Sequence, residues 1–380
     1  WQRRFYEHMH AYPELSGEEK ETAGFIQDKL REFDCEVITN IGGHGIVALF
    51  HNGEGPTVLF RADFDGLPVQ EATGVPFASK NKGKMHACGH DMHTTALLGL
   101  CQILNESRDR WQGTFIALFQ PAEETASGAA AMVADGLTSR IPTPDVCFGQ
   151  HIVAGQAGKI MSMPGPALAA CDTITIELFG RSAHGSMPHD SIDPTFLAAM
   201  IVVRLQGIVG REVSPEHFAV VTVGTLTSGH TNNTIPGSAT LVLNCRFYDD
   251  DVKARTYAAI ERVVRGECIA SGCEKEPTFT YSNHGELTDN SPEVFGKVRP
   301  LFDAVFDDAS VDAQRWTASE DFSEVPRAFG VPYFFWLIGA NSDDADAPGN
   351  HMPDFLPDYE PVVSASNRAA LAAVLAYLAV

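Results

Sequence analysis

The feature of this 380-residue chain that most constrains its fold is a change of grammar near residue 171, reversed near residue 283. Before the change, strand-like runs rich in β-branched and aromatic residues fall at 45–50, 57–60, 114–119 and 145–148, with a helical stretch at 94–104. Ser16 and Glu19 read as a capping box ahead of Ala23, Ile26, Leu30 and Phe33 at helical spacing. Strands alternating with helices predict an α/β layer around a largely parallel sheet. From residue 171 the pattern differs. Ile174, Ile176 and Leu178 alternate with Thr175 and Glu177, as in a half-exposed strand. A helix at 194–208, strands at 218–226 and 239–247, a helix at 252–270 and a strand at 277–281 follow. That order, β-α-β-β-α-β, is ferredoxin-like. The α/β grammar then resumes with a buried strand at 332–337 and a helix from 363 to the end. The expectation is an α/β domain made of residues 1–170 and 283–380, interrupted by a smaller domain at 171–282.

Charge narrows the range of partners. With 27 basic and 49 acidic residues the net charge is −22, which disfavours nucleic acid and anionic membrane surfaces. No run of about 18 apolar residues suggests a bilayer span. Eight scattered cysteines without a Cys-x-x-Cys pair read as reduced thiols, and no signal-peptide pattern is seen, so a cytoplasmic location is expected.

The chemistry-bearing residues collect just beyond the expected strands, the edge at which open α/β sheets bind ligands. The densest run is Met85-His86-Ala87-Cys88-Gly89-His90-Asp91-Met92-His93. A thiolate and an imidazole two positions apart can reach one cation from a tight turn, with Gly89 as the bend. Gln120-Pro121-Ala122-Glu123-Glu124 follows the strand at 114–119, and adjacent carboxylates can divide two tasks, one ligating and one acting as a base. His151 and His351 follow further strands; each alone would be an ordinary histidine. Together Cys88, His90, Glu124, His151 and His351 make five ligands, enough for two metals with a bridging group. Phosphate-cradling and dinucleotide-binding glycine motifs are absent from the sequence, so no nucleotide cofactor is expected.

Four runs resemble the di-metal aminoacylase/carboxypeptidase family: Arg61-Ala62-Asp63-Phe64-Asp65-Gly66-Leu67-Pro68, Met85 to Asp91, Phe119 to Glu124, and Ser319-Glu320-Asp321-Phe322. Within it they are similar to the branch of hippurate hydrolases, N-acetyl-diaminopimelate deacetylases and indole-acetyl-amino-acid hydrolases. The opening His10-Ala11-Tyr12-Pro13-Glu14-Leu15 fits as well. The resemblance implies a metallopeptidase-type α/β catalytic domain with an inserted ferredoxin-like lid that mediates homodimerisation. It makes the five residues above the metal ligands and Glu123 the catalytic carboxylate. His184 would help bind the scissile carbonyl, while Asn233 and Arg246 would lie near the substrate's carboxylate. Asp63 and Asp65 would support the ligands without touching metal.

The expected reaction is hydrolysis of an N-acyl amino acid to a carboxylic acid and a free amino acid, with Nα-acyl-glutamine or aromatic-acyl conjugates as the closest guess. Cys88 favours zinc over magnesium, with manganese or cobalt as alternatives. The rivals are a dipeptidase or carboxypeptidase, a non-catalytic metal-binding protein, and a cysteine hydrolase in which Cys88 attacks with His90 or His93 as base.

Overall fold

The computed structural model describes residues 1–341 and 347–380. Among these residues, twelve strands build two main sheets: β1 (Glu36–Ile41), β2 (Gly45–Asn52), β3 (Thr57–Asp63), β4 (Gly113–Gln120), β5 (Val146–Gln156), β6 (Ile160–Ser162), β7 (Ala170–Phe179), β8 (Ala219–Ser228), β9 (Ser238–Phe247), β10 (Thr278–Gly285), β11 (Ser310–Asp312) and β12 (Tyr333–Asn341). The helices of ten residues or more are α1 (Gln2–Ala11), α2 (Lys20–Leu30), α3 (His90–Glu106), α4 (Pro194–Glu212), α5 (Asp250–Ala270), α6 (Pro292–Phe306) and α7 (Tyr359–Leu378). The chain forms two compact units. One comprises Trp1–Ala167, Thr288–Arg315 and Asp321–Val380; the other comprises Leu168–Leu287 and Trp316–Glu320.

The larger unit is built on an eight-stranded sheet in the order β1-β2-β4-β3-β5-β12-β6-β11. Its centre is parallel: β3 pairs in parallel with β4 and β5, and β5 with β12. Strands covered on both faces become continuous apolar runs rather than alternating ones. β3 shows this, with every residue from Val58 to Asp63 buried. Leu97, Leu98, Leu100 and Cys101 of α3, and Ala369, Ala370, Ala373 and Val374 of α7, belong to the same core.

The smaller unit has the antiparallel order β8-β9-β7-β10, which is the ferredoxin-like arrangement. Alternation fixes its register: Ile174 sits opposite Leu243 and Ile176 opposite Leu241, all fully buried. Leu197, Ile201, Leu205 and Ile208 of α4, and Val252, Ala259, Ile260 and Val264 of α5, close the same core. Each of these Leu, Ile and Val side chains contributes about 1.5–3 kcal/mol on full burial. α4 starts where the sequence says it should: Pro194 occupies the first turn, and the Asp193 carboxylate accepts from the N–H groups of Thr195 and Phe196.

Three expectations need correction. Ser16 and Glu19 do not form a capping box; α2 begins at Lys20 with no side-chain cap, because both side chains bond elsewhere. His151 lies inside β5 rather than beyond it, since pairing with β12 carries that strand on to Gln156 and sets His151 opposite Leu337. By length and composition α4 and α7 are each apolar enough to cross a membrane, which the search for an unbroken apolar run missed because a few polar residues interrupt both. Half of the α7 window is buried within the protein, as expected of a core helix.

Candidate metal centre

Parallel β3, β4 and β5 end on the same side of the sheet, and the chemistry-bearing residues follow from that. Asp65 stands just past β3, the turn 121–124 just past β4, and His151 at the middle of β5. α3 begins at His90 after Gly89, whose φ of +82° is a left-handed conformation that few other residues tolerate. Beneath the turn 121–124 the backbone passes so closely that a Cβ on Gly128 would lie 1.6 Å from the Pro121 carbonyl oxygen. A glycine is required there to seat Glu123 and Glu124.

These segments bring the five expected ligands together. Ligand-type atoms of Cys88, His90 and His151 lie within 4.8 Å of one another, as do those of Cys88, Glu124 and His351, and those of His90, Glu123 and Glu124. The first two sets share Cys88, so its sulfur stands between two clusters of donors. Cys88 Sγ is 3.5 Å from His151 Nε2, and His351 Nε2 is 3.4 Å from Glu124 Oε2. The His151 Nδ1–H donates to the Ile152 carbonyl (2.8 Å), so the neutral ring presents its lone pair on Nε2. His351, at φ +69°, is tied by its N–H to the Ala87 carbonyl (2.8 Å). Beside it Asn350 Nδ2 donates to the Ile152 carbonyl (2.9 Å) and approaches Cys88 Sγ at 3.7 Å. The sequence reading passed over Asn350; its place next to His351 was the only signal.

Two buried atoms test whether a cation fits. His90 Nε2 and Glu124 Oε1 have no hydrogen-bond partner, although they lie 3.7 Å apart. Buried polar atoms are nearly always satisfied, and leaving a charged one unsatisfied is costly. A thiol, three imidazoles and a carboxylate whose unsatisfied atoms converge suit divalent cations of the zinc type.

The electrostatics agree. Burial, with the Asp65 and Asp63 charges, pushes the Glu124 carboxyl up to about 7. Burial and the neighbouring Glu124 push the Cys88 thiol up as well. A thiolate nucleophile needs positive surroundings, so Cys88 as the attacking group is disfavoured without a cation beside it. His93, weighed above as its base, is already committed: it accepts from the Ile152 N–H at Nε2 (2.9 Å) and donates from Nδ1 to Asp63 Oδ1 (2.6 Å).

Asp63 and Asp65 lie behind the donors. Asp65 Oδ1 faces His90 Nδ1 at 3.1 Å, and its Oδ2 accepts from the Glu124 N–H at 3.0 Å. Burial acts to raise the Asp65 carboxyl, but His90, Ser16 and the Glu124 N–H together outweigh it and hold the group below the ordinary range. Arg61, 1% exposed, donates to Asp63 Oδ2 (2.6 Å), Gln120 Oε1 (2.8 Å) and Asp321 Oδ1 (2.9 Å). This explains two sequence runs at once: Arg61 to Asp63 and Asp321 form one buried network.

The remaining site candidates belong to the smaller unit. His184 is exposed, and its Nδ1 accepts from the Ser186 N–H (3.1 Å), so the neutral ring carries its proton on Nε2 as a donor. Asn233 precedes Thr234, which pairs with His184, and its carbonyl accepts from the Gly185 N–H (2.6 Å). Arg246 Nη1 donates to the Thr317 carbonyl and to Ser319 Oγ, both at 2.9 Å.

The sequence profile of Peptidase family M20/M25/M40 matches residues 59–372. The chain belongs to this family. It is 36% identical over 365 residues to the N-acetyl-L-cysteine deacetylase of Bacillus subtilis, covering 94% of this chain and 84% of that protein. It is 36% identical over 318 residues to the hippurate hydrolase of Campylobacter jejuni, covering 83% and 82% respectively. Among solved structures it is similar to the Bacillus subtilis YXEP protein, described as a dinuclear metal binding peptidase of the M20 family, with a TM-score of 0.81, 28% identity, and coverage of 98% and 97%. As a member of this family the chain is a metal-dependent amidohydrolase.

Proposed function

We propose that the protein hydrolyses N-acyl amino acids to a carboxylic acid and a free amino acid, using two divalent cations held by Cys88, His90, Glu124, His151 and His351. The convergence of these five donors, with His90 Nε2 and Glu124 Oε1 lacking a hydrogen-bond partner, carries the reading. The thiol and imidazole content favours zinc, with manganese or cobalt as substitutes. A cation pair of this kind, when bound, polarises a carbonyl oxygen and brings the pKa of water to roughly 7. Glu123 takes the proton of the attacking water and passes it to the leaving amine nitrogen. His184, with its proton on Nε2, donates to the oxyanion, a role typically worth about 2.7–4 kcal/mol. Arg246 and Asn233 answer the carboxylate of the amino-acid half. Behind the ligands, Asp65 orients His90, and Asp63 is held by Arg61 and His93.

The smaller unit is the lid of this reading and the site of homodimerisation. Phe196, Met200 and Val203 form an exposed apolar stripe along α4, and β8 is an edge strand; both suit a second copy of the chain. All eight cysteines are unpaired, which fits a reducing, cytoplasmic setting.

The test is a kcat/KM panel of acetyl, benzoyl and longer acyl conjugates of polar and apolar amino acids, with dipeptides alongside, on zinc-loaded protein. Turnover of acyl conjugates above dipeptides supports the reading. Selective turnover of dipeptides would make the enzyme a peptidase.

A further inference from the structure

The run from His10 to Glu19 has no part in the proposed chemistry, yet three of its polar side chains, His10, Ser16 and Glu19, are buried or half-buried and bond to distant parts of the chain. His10, fully buried in the last turn of α1, sets Nδ1 2.7 Å from Asp91 Oδ2 and Nε2 3.2 Å from Glu71 Oε1. Asp91 directly follows the ligand His90. Ser16 Oγ donates to Asp65 Oδ2 at 2.7 Å, and that same carboxylate holds His90 Nδ1 and the Glu124 N–H. Glu19 is fully buried at the start of α2 and does not cap that helix; instead its Oε1 accepts from the Ala122 N–H at 2.8 Å. Ala122 is a non-glycine residue at φ +52°, in the left-handed region that L-residues avoid, and it immediately precedes Glu123 and Glu124. Among the side-chain contacts that cross the chain, Glu19 answers this strained peptide through Oε1. Backbone contacts join the same parts: Gly66 N–H donates to the Glu14 carbonyl (2.7 Å), and Leu15 bridges to Gly66.

We propose that residues 10–19 form a positioning brace for the metal centre. His10 fixes the start of α3 beside His90, Ser16 fixes the Asp65 carboxylate, and Glu19 fixes the strained turn that aims Glu123 and Glu124. Each acts through a neighbour of a ligand, and none touches substrate or cation. This explains why a capping-box sequence fails to cap: its two side chains are recruited across the chain to the sheet edge. The proposal rests on the two-cation reading above.

The test compares wild type, Ser16→Ala, Glu19→Ala and Glu19→Gln by competition with a chromophoric chelator and by the absorption spectrum of the cobalt-loaded protein. Thermal unfolding of each metal-free variant is followed in parallel. Loss of a group that orients ligands typically lowers metal affinity 10–100-fold. Ser16→Ala and Glu19→Ala are expected to lose affinity in about that range for at least one cation, and to change the cobalt spectrum. Glu19→Gln keeps an oxygen for the Ala122 N–H and is expected to restore both. Wild-type protein that binds no cation would overturn the metal reading itself. Wild type with two cations, and variants with unaltered affinity and spectrum, would overturn the brace alone. So would loss in Glu19→Ala that tracks its thermal destabilisation and is not restored by Glu19→Gln.

Discussion

Two clusters of carboxylates and histidines sit in this molecule, and they differ in how the charge of their buried carboxylate is answered. In the smaller unit Asp172, 3% exposed, accepts from Tyr257 Oη, from Lys253 Nζ at 2.9 Å and from His284 Nδ1 at 2.7 Å. Burial works to raise its carboxyl, but those three partners hold it below the ordinary range. In the larger unit Glu124 and His90 face each other across 3.7 Å with unsatisfied atoms, and Glu124 is pushed up to about 7. The first cluster is complete within the chain and is structural. The second is complete only with something the chain does not supply, and that difference separates a scaffold from a site.

Mutations can break the comparison. The largest effect is expected at Glu123: Glu123→Gln should lower kcat by about 10²–10⁴ while the metal content, read by plasma emission spectroscopy, is unchanged. Asp172→Ala should do the opposite, leaving metal content intact but costing about 1–3 kcal/mol in urea unfolding, because Tyr257, His284 and the half-buried Lys253 lose their shared acceptor. Glu124→Gln sharpens the contrast. It should weaken metal binding yet stabilise the metal-free protein by about 1 kcal/mol, since a buried carboxylate with an unsatisfied oxygen is removed.

The smallest effect is one of pH. Hydrogen bonds to Asp172 and then Glu286 push His284 up to about 10 from 6.5. Its contribution to stability is therefore full below pH 6.5 and lost as pH rises through about 10. The Asp172 contribution is present above 3.8 and lost as pH falls below it. His284 is nearly half exposed, so the alkaline decline should amount to a few tenths of a kcal/mol. Urea midpoints from pH 6 to 10 in metal-free protein should flatten in His284→Asn.

The sequence made the fold legible where one period dominates. Alternation in β7 and β9 exposed the ferredoxin-like unit because one face of that sheet is buried and the other is not. The donors Cys88, His90 and Glu124 were legible because they cluster in short runs beyond strands. What stayed hidden depends on long-range contacts. Ser16 and Glu19 match a local capping pattern, but their partners Asp65 and Ala122 lie 49 and 103 residues away. His93 looked as reactive as His90 until both its nitrogens were found engaged, one by Asp63 and one by the Ile152 N–H. Spacing cannot distinguish two histidines three residues apart on one helix; only their surroundings can.

The central claim is that the unsatisfied cluster is a two-cation hydrolytic centre. The most direct test is metal content per chain, paired with N-acyl amino acid hydrolysis before chelation, after it, and after zinc is restored. The account predicts close to two cations per chain, with activity abolished by the chelator and recovered with metal. Full turnover by metal-free protein would contradict it.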